Sequence, residues 1–283
     1  MFQPLTMNEV KEKALVMRRD ICKMTAACNS GHPGSSLSET DIIAVLFFYW
    51  MRHDPTNPRW PERDRFILSK GHGVPALYSA LSLAGYFPRQ ELLTLRRINS
   101  RLQGHPDMKR LNCIEASTGS LGQGLSVGIG MAFAARIDKK DYRTYVLIGD
   151  GESNEGQIWE AAMFAAFHRF DNLTVILDHN RFQLDGPVHD IMNMDPVDSK
   201  WHAFGWAVRA IDGHDYDQIL DALKWAKSNN GKPSMILANT VKGKGVSFME
   251  NNNHFHGVAP NPEELARALK ELGEDPALAR EFR

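Results

Sequence analysis

The chain has 283 residues, 43% apolar and 24% charged, and 33 basic against 34 acidic side chains leave a formal net charge of −1. That balance, without a long run of one sign, argues against nucleic-acid binding through a basic field, and the length allows a sizeable core. Three cysteines (Cys22, Cys28, Cys113) form no C-x-x-C pair, so a reducing, cytoplasmic setting fits better than a disulfide framework.

Apolar positions at helical spacing predict a helix over Val10–Ala27 with Asn8 as its N-cap, and no signal-peptide core precedes it. "NSGHPGSS" breaks the pattern, and a second helix is expected over Glu39–Met51. It contains the longest apolar run, Ile42–Met51, which is too short to span a bilayer, so no membrane partner is expected. "DRFILS" reads as a strand, and "GHGVPALYSALSLAGY" as a glycine turn feeding a helix. A short charged helix follows Pro88, then a loop. "LGQGLSVGIGMAFAAR" reads as a helix whose Gly122, Gly124, Gly128 and Gly130 cost helix propensity. Such glycines suggest close approach of a neighbouring backbone or ligand. The second half alternates: strands "YVLIGD", "LTVILD", "WAVRAI" and "SMILANTV", with helices near Gln157–Arg169 and Asp217–Ser228. Alternation with β-branched strands predicts an α/β fold, a parallel sheet covered by helices on both faces. "NPEELARALKELG" is a C-terminal helix starting at Asn261 or Pro262. With no linker-like stretch, residues 1–283 are expected to form a single domain.

"LIGDGESNEG" (Leu147–Gly156) looks like a strand ending in a phosphate-cradling glycine turn, yet it carries Asp150, Glu152 and Glu155. The following strand ends just before Asn180. A right-handed β-α-β crossover puts both strand ends at one sheet edge, where α/β proteins bind ligands. A carboxylate and an amide oxygen together suit Mg²⁺ or Ca²⁺ rather than Zn²⁺. The anion is therefore expected to be a diphosphate arriving with a divalent cation that cancels the repulsion. Gly151 would let backbone approach it. A lone "GDG" is a common turn, and the distal asparagine is what separates this one from a bland loop.

Four of the 11 histidines sit beside glycine or proline: His32, His72, His105 and His256. Isolated loop histidines are usually solvated. Four in glycine turns suggest side chains thrust into a pocket, where imidazole can serve sugars and phosphates. No metal-ligand spacing supports a zinc site.

The ordered segments "SGHPGSSLS", "LSKGHGVPALYSAL", "QGHPD", "STGSLGQGLSVGIGMA", "GDGESNEGQIWEAA", "DHNRFQLDG", "IDGHD" and "HFHG" resemble the N-terminal, diphosphate-binding domain of transketolase over nearly the whole chain. The resemblance implies the thiamine-diphosphate-binding fold, with thiamine diphosphate and Mg²⁺ (or Ca²⁺) as cofactors. It implies Asp150 and Asn180 as metal ligands, joined by the Phe182 carbonyl. Gly151, His72 and His256 would contact the diphosphate, and Asn180 would serve that site too. Gly119, Ser120 and Leu121 would line the ring pocket, although Ser120 stands where proline is common. His32, His105 and His256 would face a sugar phosphate, with His32 and His256 as candidates to take the C3-hydroxyl proton and His105 to hold the two-carbon fragment. Glu155 and Glu160 match dimer-interface positions. His179 departs from the usual Asn or Asp and is expected to turn away from the metal. "VKGKG" (Lys242, Lys244) reads as a solvated loop, and "IDGHD" receives no chemistry.

Two elements of the family are missing from these 283 residues: the glutamate that addresses the pyrimidine ring and most of the sugar-phosphate arginines. The expectation is therefore the N-terminal subunit of a split transketolase of the pentose phosphate pathway. It would be inactive alone, and a C-terminal, pyrimidine-domain subunit would complete it in an α2β2 assembly. The alternatives are a subunit of another thiamine-dependent enzyme, such as a deoxyxylulose-phosphate synthase-like or 2-oxo acid dehydrogenase component, and a non-catalytic cofactor-binding subunit.

Overall fold

The computed structural model describes residues 3–282. Strands β1 (Arg65–Leu68), β2 (Thr144–Gly149), β3 (Leu173–His179), β4 (Ala207–Asp212) and β5 (Ser234–Asn239) form one parallel sheet in the order β1-β2-β3-β5-β4. Central β2 and β3 are buried along their whole length, whereas β4, at the edge, is half exposed. Successive side chains of a strand face opposite ways, and the core divides accordingly. Tyr145, Leu147, Ile176 and Ile236 join one apolar cluster, while Val146, Ile148, Val175 and Leu237 join the other.

Helices α1 (Met7–Ala27), α2 (Pro33–Ser38), α3 (Thr40–Val45) and α4 (Val74–Leu83) supply the first cluster, with α9 (Tyr216–Ser228) and α10 (Pro262–Glu271). Helices α5 (Gln123–Ile137), α6 (Gly156–Phe167) and α8 (Val197–Ala203) supply the second, and the short α7 (Val188–Ile191) lies between β3 and α8. The expected two-sided α/β architecture is thus present. No helix among the described residues is long and apolar enough to cross a membrane.

Several boundaries differ from the sequence reading. The α1 N-cap is Thr6, not Asn8, because Thr6 and Glu9 form a reciprocal capping box that satisfies two otherwise free N–H groups. The helical run expected from Glu39 begins at Pro33, whose fixed φ suits a first turn, and ends in a π-helical turn at Leu46–Trp50. The segment after Pro88 is a 3₁₀ turn, Arg89–Thr94. Helix α10 starts as expected, with Asn261 capping and Pro262 first.

The glycines of α5 mark close approaches, with one exception. A Cβ on Gly128 would sit 2.4 Å from Val146 Cγ2, and one on Gly124 would sit 2.4 Å from Ser69 Oγ, so this helix lies directly on β2 and the β1 end. Gly130 instead faces open space. The outer sides of α5 and α6 leave large apolar groups in solvent, among them Ile137 (65% exposed), Met163, Phe164 and Phe167 (81% exposed).

Candidate active site

The parallel register sets Gly149 opposite Asp178, so the residues just beyond the two strands emerge side by side. Here a cleft of about 390 Å³ opens. It is lined by residues far apart in sequence, including His32, His72, His105, Asp150, Asn180 and His256.

Asp150 and Asn180 are both buried. Asp150 Oδ2 accepts from the Arg181 backbone N–H at 2.5 Å, a turn made possible by the left-handed Arg181 (φ +67°). Asn180 Oδ1 accepts from Phe182 N–H at 3.0 Å, while its Nδ2 donates to Asp178 Oδ2 at 3.1 Å and Ser38 Oγ at 3.3 Å. A carboxylate can only accept, so Asp178 fixes which end of the Asn180 amide is the oxygen end. Burial pushes the Asp150 carboxyl up despite its hydrogen bonds. A desolvated carboxylate and an oriented amide oxygen at one strand edge, with Phe182 lining the same cleft, fit a hard divalent cation. His179 does not turn away as expected. Its Nδ1 lies 2.5 Å from Asp150 Oδ1. Burial alone would lower this imidazole, but the carboxylate outweighs it and the net shift is upward.

The three carboxylates of the loop after β2 separate in space. Glu152 is buried, and takes hydrogen bonds from Ser69 Oγ, Gly122 N–H (3.0 Å) and Gly149 N–H (3.2 Å). It ties the ends of β1 and β2 to the start of α5 rather than opposing an anion. Glu155 stands at the N-cap position of α6 and reaches the exposed rim of the cleft, and Glu160 lies on the outer face of α6, three residues before Met163. Gly151 lines the floor, where a side chain would meet Gln183 Cβ at 2.9 Å. Gly119, with φ +141°, lies against the His105 ring, 3.0 Å from where a Cβ would stand. Gly119 and Leu121 line the cleft; Ser120 is exposed and does not.

The four histidines converge. Ring centroids lie 5.1 Å apart for His32–His72, 5.4 Å for His72–His256, 5.7 Å for His32–His256 and 6.4 Å for His32–His105. Burial first, then nearby cations, lowers all four: His32 to about 4, His256 to about 3, His72 well below its usual range, and His105 downward. Near neutrality the cleft therefore presents uncharged imidazoles, each with one N–H to give and one nitrogen to accept.

Sequence reasoning missed the polar layer beneath. Lys70 is buried between Asp178 and Glu39, with Glu39 Oε2 at 2.8 Å. Asp178 also accepts from Ser38 Oγ and Thr240 Oγ1, each at 2.5 Å. Burial lifts Glu39 to about 8. The signal lay in "SKGH", where a lysine stands between a strand end and a glycine turn. The loop around Lys242 is also corrected. Lys244 is partly exposed near Glu250, but Lys242 is fully buried and its Nζ lies 2.7 Å from His256 Nδ1. "IDGHD" is structural. His214 Nδ1 reaches Asp41 Oδ2 at 2.8 Å, and its Nε2 accepts from Val241 N–H at 2.8 Å, pinning that loop.

Residues 11–282 match the family model described as transketolase, thiamine diphosphate binding domain. The chain is 48% identical to a 6-deoxy-6-sulfo-D-fructose transketolase subunit of Clostridium sp. (strain MSTE9), covering 95% of this chain and 98% of that protein. It is 41% identical to an apulose-4-phosphate transketolase subunit of Phocaeicola vulgatus, over 91% of each. Among solved structures, Campylobacter jejuni transketolase superposes with a TM-score of 0.90 at 34% identity, covering 99% of this chain and 46% of that one. Fold, cleft and sequence agree: the chain belongs to the transketolase family, as its thiamine diphosphate-binding domain.

Proposed function

We propose that this chain is the diphosphate-binding subunit of a two-chain transketolase, moving a two-carbon ketol unit from a ketose to an aldose phosphate. The observation that carries the reading is the meeting, in one cleft, of the Asp150–Asn180 oxygen pair with four converging histidines. Asp150 and Asn180, with the Phe182 carbonyl, would hold Mg²⁺ or Ca²⁺. His72, His256 and the Gly151 N–H would hold the diphosphate, and Gly119 and Leu121 the rings. Bound thiamine diphosphate supplies the carbon nucleophile for the ketose carbonyl. The chain's own part is to bind, to orient and to handle protons: His105 would hold the two-carbon fragment, and His32 and His256 would face the hydroxyls beyond it, one of them taking the C3-hydroxyl proton. Lys70 and Asp178 hold the Asn180 amide in its useful orientation.

The missing pyrimidine-facing acid would come from a second, cytoplasmic chain, in an α2β2 assembly with Glu155 and Glu160 near the contact. The two relatives named as subunits, which align over nearly their full lengths, support a separate partner. The substrates in their names, 6-deoxy-6-sulfofructose and apulose 4-phosphate, point to a ketose with an anionic terminus, a class to which the ketoses of the pentose phosphate pathway also belong.

Mixing the chain with its cognate C-terminal subunit, thiamine diphosphate and Mg²⁺ should give ketol transfer to ribose 5-phosphate from xylulose 5-phosphate or 6-deoxy-6-sulfofructose. Absence of transfer from every ketose tried would end the catalytic reading. Asp150→Ala should weaken metal-dependent cofactor binding by tenfold or more with an unchanged circular dichroism spectrum; about 10–100-fold is typical even for residues one layer out from a metal. An unaltered affinity would remove Asp150 from the metal site.

A further inference from the structure

The loop carrying Lys242 is held from several directions. Gly243 N–H donates to Gly34 O at 2.9 Å, Asn251 N–H to Lys242 O at 2.9 Å, and Arg18 Nε to Lys244 O at 3.1 Å. The lysine stem packs on Gly34, where an added Cβ would stand 3.3 Å from both Cγ and Cε. The ammonium position is therefore fixed, 2.6 Å from Asn253 Oδ1 and 2.7 Å from His256 Nδ1. Asn253 is itself oriented, because its Nδ2 donates to Leu184 O at 2.8 Å, which leaves its oxygen to Lys242.

An ammonium has three donors and no acceptor. While Lys242 carries its proton, His256 Nδ1 at 2.7 Å must be the accepting nitrogen, and a neutral imidazole that accepts at Nδ1 carries its hydrogen on Nε2. We propose that Lys242 fixes the tautomer of His256, so that this imidazole offers the cleft an Nε2–H donor and takes no proton there. Burial brings Lys242 down to about 7 and, with Lys242 beside it, His256 to about 3, so a second proton on His256 is disfavoured as well. The consequence for the reaction rests on the transketolase reading. His256 steadies negative charge on cofactor or substrate oxygen, and the C3-hydroxyl proton goes to another group. Lys242 is then a positioning residue. His32, whose Nδ1 is only loosely approached by Arg96 Nη2 at 3.4 Å, stays available for that proton.

The test is nitrogen-15 NMR of the histidine-labelled full chain near pH 6, where Lys242 is an ammonium and His256 is still neutral, with His256→Asn assigning the signal. The expected spectrum shows His256 Nδ1 bare and Nε2 protonated. In Lys242→Met the preference should be lost, and the two nitrogen shifts should converge toward a tautomer average. A wild-type His256 carrying its hydrogen on Nδ1, or a folded Lys242→Met with an unchanged spectrum, overturns the proposal. Should that variant not fold, the wild-type spectrum alone still decides the tautomer. The measurement needs neither metal nor cofactor, so its failure is distinct from failure of the transfer assay.

Discussion

Two buried ionic clusters lie on the same side of this protein, and they are built on different plans. In the first, Asp41 receives both Arg18 Nη atoms (3.0 and 2.6 Å), His214 Nδ1 (2.8 Å) and the Tyr216 hydroxyl (2.5 Å). Every charge is met, and the Arg18 guanidinium, with hydrogen bonds from His214 and Tyr216, holds the Asp41 carboxyl far below its usual range despite burial. In the second, one ammonium, Lys70, serves two acidic side chains, Asp178 and Glu39. Asp178 is fully hydrogen-bonded, but Glu39 has an ion pair without an aligned hydrogen bond on either oxygen. The closed cluster ties α1, α3 and the start of α9 together. The open one borders the cleft through Asn180. A cluster that only supports the fold can be finished, whereas one beside a ligand site keeps polar capacity in reserve.

The largest effects should come from cutting each cluster. Lys70→Met strands a buried carboxylate, and Asp41→Asn strands the Arg18 guanidinium. Each should cost about 3–5 kcal/mol by urea unfolding. Only Lys70→Met should also weaken metal-dependent cofactor binding, because only that cluster orients Asn180. Equal cofactor binding in the two folded variants would erase the distinction.

Next in size is the pH response of the cleft. His32 and His256 have folded pKa values of about 4 and about 3, against roughly 6.5 unfolded. Below pH 6.5 the unfolded chain binds more protons than the folded one. Stability is therefore complete above that pH and falls on acidification toward 4, by at most about 1.4 kcal/mol per pH unit for each histidine. His32→Asn and His256→Asn should each flatten that slope in urea midpoints measured between neutral and mildly acid pH. Slopes identical to wild type would mean that these rings are better solvated than the cleft geometry implies.

The smallest effect concerns two glycines of one helix. Gly130→Ala should stabilise the isolated chain by about 0.5–1 kcal/mol, because it relieves a helix penalty in open space. Gly128→Ala should destabilise it, since the new methyl would meet Val146. A loss for both would place a further constraint on the outer face of α5.

Much of the fold and site is readable from residue order. Apolar, β-branched strands alternating with helices announce the sheet, and parallel strands place consecutive carboxyl ends together, so Asp150 and Asn180 pair on topology alone. Glycine-flanked histidines announce the cleft. What stays hidden depends on contacts with no local pattern. Glu152 reads as another loop acid until Ser69 and Gly122 N–H close on it. Lys242 reads as a solvated lysine until the turn after β5 buries it beside His256. By type Asn8 is the better cap, and the choice falls to Thr6 because Glu9 lies three residues on and can reach back.

The bare strip along α5 and α6 has a cost in the cell. Phe164, Phe167, Met163 and Ile137 form the kind of surface on which strangers stick. A polypeptide showing it is open to non-specific association until something covers the strip. Supply of this chain would then be matched to that of whatever shields it, and co-production with that partner should raise the soluble yield over the chain made alone.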